Sequence, residues 1–133
     1  MSGAEHGPDI VAIGNALVDV LSHETDDFVA SHGMTKGAMD LIDTPRAEAL
    51  YAAMGPGIEI SGGSAANTTA GIASFGTSVA YIGRVRDDQL GSVYRHDLRS
   101  AGVQFDSPPA TDGLATGCSS RQTTAPASVK SFG

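Results

Sequence analysis

Three apolar runs along the chain have the composition of strands buried inside a sheet. The run Ile10–Gly14 is apolar at consecutive positions, which is typical of a central strand covered on both faces. Ser78–Gly83 repeats this pattern, and a further apolar stretch begins at Val103–Phe105. These segments predict strands of one buried sheet.

Helical patterns alternate with these strands. Ala65–Phe75 predicts a helix, and Gly76 follows where a left-handed C-terminal cap belongs. A second helix is predicted after Asp87 or Asp88, either of which can cap it, with Gly102 at its end. Alternating strands and helices with short connections indicate an α/β fold, in which helices cover a parallel sheet.

The stretch that follows the first strand has weaker patterns. Thr25–Gly33 predicts a short helix, and the alternation within Met34–Asp43 predicts an edge strand exposed on one side. Thr44-Pro45 is typical of a helix start, and that helix is expected to end at Gly55–Gly57. A short extended piece, Ile58–Ile60, follows it.

The composition changes near the end of the chain. Thr111–Cys118 predicts a strand because Leu114, Thr116 and Cys118 alternate with smaller or polar residues. Residues 119–133 contain only two large apolar side chains among many small polar ones. Such a stretch cannot bury enough surface to order itself, so we expect a disordered tail.

Composition excludes several classes of protein. The 133 residues fit one domain with a modest core, and the net charge of −7 argues against a nucleic-acid-binding surface. No apolar run is long enough to span a membrane, and no secretory signal is visible at the N-terminus. A single cysteine, Cys118, cannot build a disulfide framework, so a reducing, cytoplasmic setting is expected.

The richest cluster of candidate binding residues lies where a strand is expected to lead into a helix. Gly62 and Gly63 allow a ligand to approach the backbone closely, because no Cβ intervenes. The amides at the start of the following helix, from Ser64 onward, favour an anion or a ligand oxygen, and Asn67 lies one turn further on. A simple tight turn is the alternative interpretation of this string.

A second candidate pair follows the first predicted strand. Asn15 and Asp19 lie just beyond it, and ligands of open parallel sheets bind beyond the carboxyl ends of the strands. A carboxylate and a carboxamide there suit neighbouring hydroxyls of a sugar, because charged acceptors form the stronger hydrogen bonds. The alternative, equally weighted, is that Asn15 forms a turn and Asp19 caps a helix.

The remaining residues give weaker signals of chemistry. Cys118 has no neighbouring histidine, which favours an inert thiol, while Arg84 and Arg86 beside two aspartates indicate a solvated loop. No Walker-type loop and no Gly-x-Gly-x-x-Gly run is present, which disfavours a dinucleotide-binding oxidoreductase. The histidines lack metal-ligand spacing and are expected on the surface: His6, His23, His32 and His96.

Four segments follow one another in a consistent order over roughly residues 9–118. Together they are specific for one protein family, although each alone is not. They are Gly14–Asp19, Lys36–Asp43, Gly62–Asn67 and Ser78–Gly91. In these segments the chain resembles the ribokinase (phosphofructokinase-B, PfkB) family of sugar and nucleoside kinases, especially its adenosine-kinase-like branch. The resemblance implies a ribokinase-like three-layer α/β fold with a small β lid, present here as an incomplete N-terminal half.

The resemblance also implies an activity and roles for residues. The full-length family transfers the γ-phosphate of ATP, with Mg²⁺, to a hydroxymethyl oxygen of a sugar or nucleoside. By the family pattern, Asp19 would hold ribose-type hydroxyls, helped by Asn15, Gly63 and Asn67. The implied partner is thus a small sugar or nucleoside, with no nucleic acid and no membrane.

The same resemblance divides the chain. Residues 1–118 would form the N-terminal, substrate-binding part, including lid strands at about 20–43 and 111–118, and residues 119–133 diverge from the family. The lid strands are also a candidate interface for a homodimer.

Two departures from the family bear on activity. The second family signature, an Asp-Thr-x-Gly-Ala-Gly-Asp-like motif that supplies the catalytic base and the phosphate cradle, is absent from the 133 residues, as are the residues that bind ATP and Mg²⁺. We therefore assign no catalytic residue and expect an inactive kinase fragment, or else a non-catalytic or vestigial ribose- or nucleoside-binding module. Arg86 also replaces a usual glycine, which costs about 1 kcal/mol or more if that position needs a positive φ.

Overall fold

A computed structural model of the chain describes residues 6–38 and 40–123, which divide into two compact units. The first comprises residues 6–19 and 59–119, and the second comprises residues 20–38, 40–58 and 120–123. None of the four helices found in these residues has the length and apolar content needed to cross a bilayer. The elements in chain order are β1 Ile10–Ile13, β2 Leu17–His23, α1 Asp26–Ser31, α2 Thr44–Ala53, β3 Ile58–Gly62, α3 Ser64–Ser74, β4 Val79–Ile82, α4 Gln89–Ser100 and β5 Gly117–Thr123.

The first unit is built on the parallel pair β1 and β4. Their register places Ile10 opposite Val79 and Ile13 opposite Ile82. On the far side of β4, Gln104 forms a single parallel bridge, in which the Gln104 N–H donates to the Val79 carbonyl at 2.9 Å. The strands predicted at Ile10–Gly14 and Ser78–Gly83 are confirmed. The strand expected from residue 103 onward is a single bridge rather than a full strand.

The prediction that the first strand is buried on both faces is wrong. Ile10, Val11 and Ile13 are 40%, 53% and 76% exposed. The reason is that β1 pairs only with β4 among the described residues, and α3 contacts the two strands from one side. The apolar sequence of β1 is therefore that of a covered strand, but its second face is open.

Three aromatic rings fill the core on the covered face. Tyr81 of β4, Tyr94 of α4 and Phe105 are almost fully buried, with ring centroids 5.7 to 6.1 Å apart. Neither tyrosine hydroxyl has a hydrogen-bond partner in the described part of the chain. Burial raises the pKa of Tyr94 far above its ordinary value, so this ring stays neutral wherever the fold exists.

The second unit confirms two predicted helices and overturns one predicted strand. Helices α1 and α2 begin at the N-caps Thr25 and Asp43, whose side chains accept backbone N–H groups one turn on. The edge strand expected over Met34–Asp43 does not form: residues 34–38 turn, with Gly37 at a φ of +80° and the Ala38 N–H donating to a carbonyl three residues back. A positive φ at Gly37 breaks the extended conformation that a strand requires.

A three-stranded sheet has the order β3-β2-β5, and β2 was not predicted. The alternation typical of a strand is present in β2, because Val18, Val20 and Ser22 are buried while the residues between them are half-exposed. The sequence analysis instead expects Asn15 and Asp19 just beyond the first strand. Asp19 therefore lies inside β2 rather than in a connection beyond β1.

Strand β5 departs from the predicted boundary at residue 118. It begins at Gly117, so residues 111–116 precede the strand, and it continues to Thr123 inside the predicted tail. Strand pairing uses backbone N–H and C=O groups, so small polar side chains do not prevent it. The prediction of disorder for residues 124–133 falls outside the described residues.

Helix α4 begins at a tightly packed junction. The carboxylate of its N-cap, Asp88, accepts the Gly91 N–H at 2.8 Å. The Thr116 hydroxyl donates to the same carboxylate at 2.7 Å, and the Thr116 N–H donates to it at 2.9 Å. A Cβ at Gly91 would collide with the carbonyl oxygen of Arg86. The junction thus ties the start of α4 to the segment that precedes β5.

The substitution Gly91→Ala is expected to lower the free energy of unfolding by about 1–3 kcal/mol, because the added methyl meets a backbone oxygen that cannot turn away. The gain in helix propensity, at most about 1 kcal/mol, does not offset this. Urea unfolding followed by circular dichroism measures the loss. Gly71→Ala in α3 is the matched control, since no atom lies within 4 Å of the added Cβ; equal stabilities of the two variants would contradict the prediction.

Candidate functional site

The Asp19 carboxylate lies against the α-carbon of Gly62. A Cβ at position 62 would stand 2.8 Å from Asp19 Cγ and closer still to one carboxylate oxygen. The contact arises because β2 and β3 are neighbours in the sheet, with Asp19 inside β2 and Gly62 closing β3. Only glycine leaves room at this position for the carboxylate.

Gly63 forms the corner between β3 and α3. It has a φ of +91°, in the left-handed region, and a Cβ there would stand 2.9 Å from the carbonyl oxygen of Asn15. Gly63 is also the N-cap of α3, and no side chain caps this helix. The first N–H groups of α3 have no intrahelical acceptor, so they can donate to a ligand oxygen. The Gly63 carbonyl accepts the Asn67 N–H at 2.9 Å.

Neighbouring elements fix the ends of the strands around this corner. The Ser61 N–H donates to Asp97 of α4 at 2.8 Å, directly before Gly62. The Gly14 N–H donates to the Ile82 carbonyl at 3.1 Å. Gly14 has no Cβ, which leaves room for the methyl group of Ala65 and for the Tyr81 hydroxyl. A Cβ added at Gly14 would stand 2.7 Å from the Ala65 methyl group.

Asp97 and Tyr81 were not predicted to support this corner. Asp97 is one acidic residue on a helix that carries several charges, and Tyr81 is one residue of an apolar strand. Neither belongs to a motif, so only the folded contacts identify them.

The Asp19 carboxylate is available to a ligand. It is half-buried, and it forms no hydrogen bond or ion pair with any described residue. An ionised carboxylate can accept hydrogen bonds on both oxygens, and the nearby N-terminus of α3 favours negative charge. A ligand with hydroxyl donors would supply the partners that this carboxylate lacks among the described residues.

The structure brings some of the predicted site residues together and leaves others at the surface. Asp19 meets Gly62, and the backbone of Asn15 meets Gly63. The side chains of Asn15, Ser64 and Asn67 are exposed, and no hydrogen bond joins any of them to Asp19. The built part of the site is therefore the carboxylate and the two-glycine corner.

Other clusters in the described residues carry no comparable geometry. No group of three or more His, Cys, Asp or Glu side chains is placed to hold a metal ion there, so these residues do not fit the Mg²⁺ that the resemblance implies. Burial raises the pKa of Cys118, which disfavours its thiolate. His6 and His96 are exposed, whereas the His32 ring packs on Phe28 with its centroid 4.1 Å away.

A groove of about 520 Å³ lies along α4, away from the predicted site residues, none of which lines it. Its two arginines already donate to carbonyls: Arg95 to Ser107 at 2.9 Å and Arg99 to Phe105 at 2.8 Å. We therefore interpret the groove as a structural surface of the helix. The lining residues are Ser92, Arg95, His96, Arg99 and Ser100.

Arg86 adopts an ordinary backbone conformation. No non-glycine residue among those described has a positive φ, so the cost anticipated for Arg86 does not arise. Its N–H donates to the Thr116 hydroxyl at 2.9 Å, and its guanidinium donates to the Gly113 carbonyl. Arg84 forms an exposed ion pair with Asp112 at 3.4 Å, as expected of a solvated charged loop.

Comparison with known proteins now gives the family. The model described as pfkB family carbohydrate kinase matches residues 26–126, well over half of the chain. The chain therefore belongs to the pfkB family of carbohydrate kinases, which confirms the resemblance found in the sequence. No curated protein sequence matches the chain.

Solved structures agree with this assignment. The adenosine kinase from Sinorhizobium meliloti is 47% identical, with a TM-score of 0.73, over 90% of this chain and 36% of that one. A probable sugar kinase from Rhizobium etli CFN 42 is 45% identical, with a TM-score of 0.73, over 88% of this chain and 36% of that one. Both confirm the ribokinase-like α/β fold, and this chain spans about a third of their length.

A more distant structure shows the same fold. The adenosine kinase from Schistosoma mansoni, solved in complex with adenosine in an occluded loop conformation, is 20% identical, with a TM-score of 0.68. The match covers 84% of this chain and 34% of that one. At this identity the likeness concerns the fold alone.

The junction at Asp88 gives the first unit a dependence on acid pH. Burial by itself raises the pKa of Asp88, but donors from Thr116 and Gly91 and the nearby Arg86 charge outweigh it and hold the pKa below its ordinary value of 3.8. A depressed folded-state pKa contributes stability that is fully present above the unfolded value and is lost as the pH falls through the folded value.

We expect Asp88→Asn to lower the free energy of unfolding at pH 7 by about 1–2 kcal/mol, because the amide oxygen can keep the cap on Gly91 but the charge is lost and the amide nitrogen cannot accept the Thr116 N–H. The difference from the wild type should narrow as the pH falls below the ordinary value of 3.8 and through the lowered native pKa of Asp88, where the carboxylate takes up its proton. Urea unfolding at pH 7, 5, 4 and 3 measures it. A difference that stays constant down to pH 3 would show that the charge of Asp88 contributes nothing.

Proposed function

We propose that this chain is the substrate-binding part of an adenosine-kinase-like member of the pfkB family, and that it holds the ribose hydroxyls of a nucleoside at the Asp19–Gly62 corner. One observation carries the proposal. A half-buried carboxylate without a partner among the described residues lies over a backbone position that has no Cβ. Vicinal hydroxyls are a pair of donors that such a carboxylate can accept on both oxygens.

The rest of the corner suits the sugar part of a nucleoside. Gly62 and Gly63 let a hydroxyl approach the backbone, and the first N–H groups of α3 can donate to its oxygen. Asn15, Ser64 and Asn67 add exposed amide and hydroxyl groups beside these backbone groups. Together they offer both acceptors and donors, which a polyhydroxylated ligand can use.

The names of two relatives support a substrate class. The Sinorhizobium meliloti protein is described as an adenosine kinase, and the Rhizobium etli protein as a probable sugar kinase. We infer a nucleoside as the ligand, with a free sugar as the runner-up. Both classes share the ribose-type hydroxyls that Asp19 would accept.

In the full-length family, ATP and Mg²⁺ would supply and activate the phosphoryl group that is transferred to the hydroxymethyl oxygen. The described residues offer no cluster for that metal ion, so we assign no step of the transfer to this chain. Our proposal is that the chain alone binds but does not phosphorylate. A non-catalytic or vestigial nucleoside-binding module is the alternative, and it makes the same prediction for binding.

Two further expectations belong to this proposal. We place the chain in the cytoplasm, where nucleosides and ATP are both present. The second expectation is a homodimer through the lid strands predicted at about 20–43 and 111–118.

Binding tests the role of the carboxylate. We expect the wild-type chain to bind adenosine and Asp19→Asn to bind it about 10-fold to 100-fold more weakly, since charge-assisted hydrogen bonds are worth about 1.5–3 kcal/mol. Gly62→Ala should also weaken binding about tenfold or more, because the new methyl displaces the carboxylate. Isothermal titration calorimetry measures all three.

Gly71→Ala is the matched control for binding, because it adds the same methyl group to α3 in open space. It should bind adenosine as the wild type does. Equal affinity of the wild type and Asp19→Asn, or no binding by the wild type, would refute the proposed site. 2′-Deoxyadenosine should bind the wild type more weakly than adenosine does, since it lacks one of the two hydroxyl donors.

Turnover tests the claim that this chain is only the binding part. Purified wild-type chain incubated with adenosine, ATP and Mg²⁺ is expected to form no phosphorylated nucleoside, because the electrostatic and positioning groups for phosphoryl transfer are missing from its residues. Radiolabelled ATP and chromatography detect the product. Clear turnover that Asp19→Ala abolishes would overturn this expectation.

A further inference from the structure

A charge-assisted hydrogen bond joins α4 to the end of β3. The Ser61 N–H donates to the Asp97 carboxylate at 2.8 Å, and both residues are half-buried. Among the described residues β3 has β2 as its only neighbouring strand. A strand with one neighbour has a row of backbone groups on its outer edge that no other strand pairs. Asp97 thus supplies an acceptor to the backbone of an edge strand, one residue before Gly62.

The helix that carries Asp97 is fixed on its inner side. Tyr94 and Leu98 of α4 are 0% and 1% exposed, so the turn that contains Asp97 is packed into the core of the first unit. Arg99, two residues further on, donates to the Phe105 carbonyl at 2.8 Å. These contacts hold the backbone of α4 on both sides of position 97. The Asp97 carboxylate is therefore presented to β3 by a well-anchored helix.

The position of Ser61 determines where the backbone of Gly62 lies. The two residues are consecutive, and the Gly62 α-carbon stands so close to Asp19 that a Cβ would be 2.8 Å from Asp19 Cγ. The Asp19 side chain has no hydrogen bond or ion pair with a described residue, so its contact with this backbone restricts its orientation. A side chain that is not held keeps its rotamer freedom. A displacement of the end of β3 would therefore give the Asp19 carboxylate room to turn.

We propose that Asp97 is a positioning residue for the ribose site. Its hydrogen bond to Ser61 fixes the end of β3, the end of β3 holds Gly62 against Asp19, and the Asp19 carboxylate is thereby aimed at the ribose hydroxyls. This inference rests on the proposed function, since it concerns the same ligand. In this role Asp97 acts through the backbone and does not contact the ligand. Small misplacements of a binding group weaken recognition strongly, so a support of this kind affects affinity.

A second contact between α4 and β3 differs from the first because it joins two side chains. Gln89, at the start of α4, donates to the Glu59 carboxylate at 3.3 Å. This bond is long, lies at the surface and leaves the backbone of β3 untouched. Removing the Gln89 side chain should therefore not move Gly62. Gln89→Ala is for this reason the matched control for Asp97→Ala.

Calorimetric titration of the full 133-residue chain tests the role of Asp97. We expect Asp97→Ala to bind adenosine about tenfold more weakly than the wild type does, because the Ser61 N–H loses its acceptor and the end of β3 moves. Asp97→Asn should stay within about threefold of the wild-type affinity, since its amide oxygen can accept the same N–H. Gln89→Ala should bind adenosine as the wild type does.

The preference for adenosine over 2′-deoxyadenosine separates positioning from stability. The deoxy compound offers one hydroxyl fewer and depends less on the Asp19 carboxylate, so Asp97→Ala should narrow the preference. A smaller folded fraction would weaken the binding of both nucleosides by the same factor and leave the preference unchanged. An equal loss of affinity for both nucleosides therefore overturns the proposal.

Hydrogen exchange without nucleoside gives a measurement that does not depend on ligand binding. In Asp97→Ala the Ser61 amide should exchange about tenfold faster than in the wild type, because it has lost its acceptor. The Tyr81 amide, which donates to the Gln104 carbonyl at 2.9 Å, should keep its rate. Equal acceleration at both amides would assign Asp97 to global stability and overturn the proposal.

The binding results distinguish the failure of this inference from the failure of the proposed function. A wild-type chain that binds no adenosine would refute the proposed function, and the role of Asp97 at the ribose site with it. A wild-type chain that binds adenosine no more tightly than Asp97→Ala does would refute the role of Asp97 alone.

Discussion

The close approach of the Asp19 carboxylate to the backbone of Gly62 is the constraint on which the proposed site depends. It joins two neighbouring strands at the point where β3 turns into α3, and it tolerates no Cβ at position 62. The corner that follows needs a second glycine, because Gly63 has a positive φ and lies against the Asn15 carbonyl. Asp97 of α4 holds Ser61 immediately upstream. The carboxylate, the two glycines and the uncapped helix thus form one geometric arrangement, which none of them would produce alone.

Much of the first unit could be predicted because local patterns and tertiary burial agree there. The apolar runs became β1 and β4, and the glycines at positions 76 and 102 adopt the left-handed conformation expected of helix ends. The errors arose where two signals compete. Met34–Asp43 alternates like a strand, but Gly37 turns the chain. Strand β2 was missed because a polar residue, Asp19, interrupts an apolar run. Burial of β1 could not be predicted from its own sequence, since it depends on which other elements are present.

The candidate site was predicted in its residues but not in its construction. Gly62, Gly63 and Asp19 could be selected from the sequence because a glycine pair before a helix and a carboxylate near a strand end suit a ligand, although a tight turn and a helix cap were equally open for them. Their contact depends on β3 lying beside β2, a pairing between distant segments that local patterns do not encode. For the same reason the contribution of Asp97 appears only in the folded chain. Motif residues can therefore be selected from a sequence, while the residues that hold them in place require the structure.

The bond between Thr116 and Asp88 has a consequence for how much variation the end of the chain can accept. This hydrogen bond lies one residue before β5 begins, so the contacts of the α4 junction precede the polar segment of the chain. From Gly117 onward the chain is held as a strand, and strands are recognised through their main chain. Substitutions beyond Thr116 can therefore change side chains of β5 without removing the hydrogen bonds by which Thr116 holds the α4 junction.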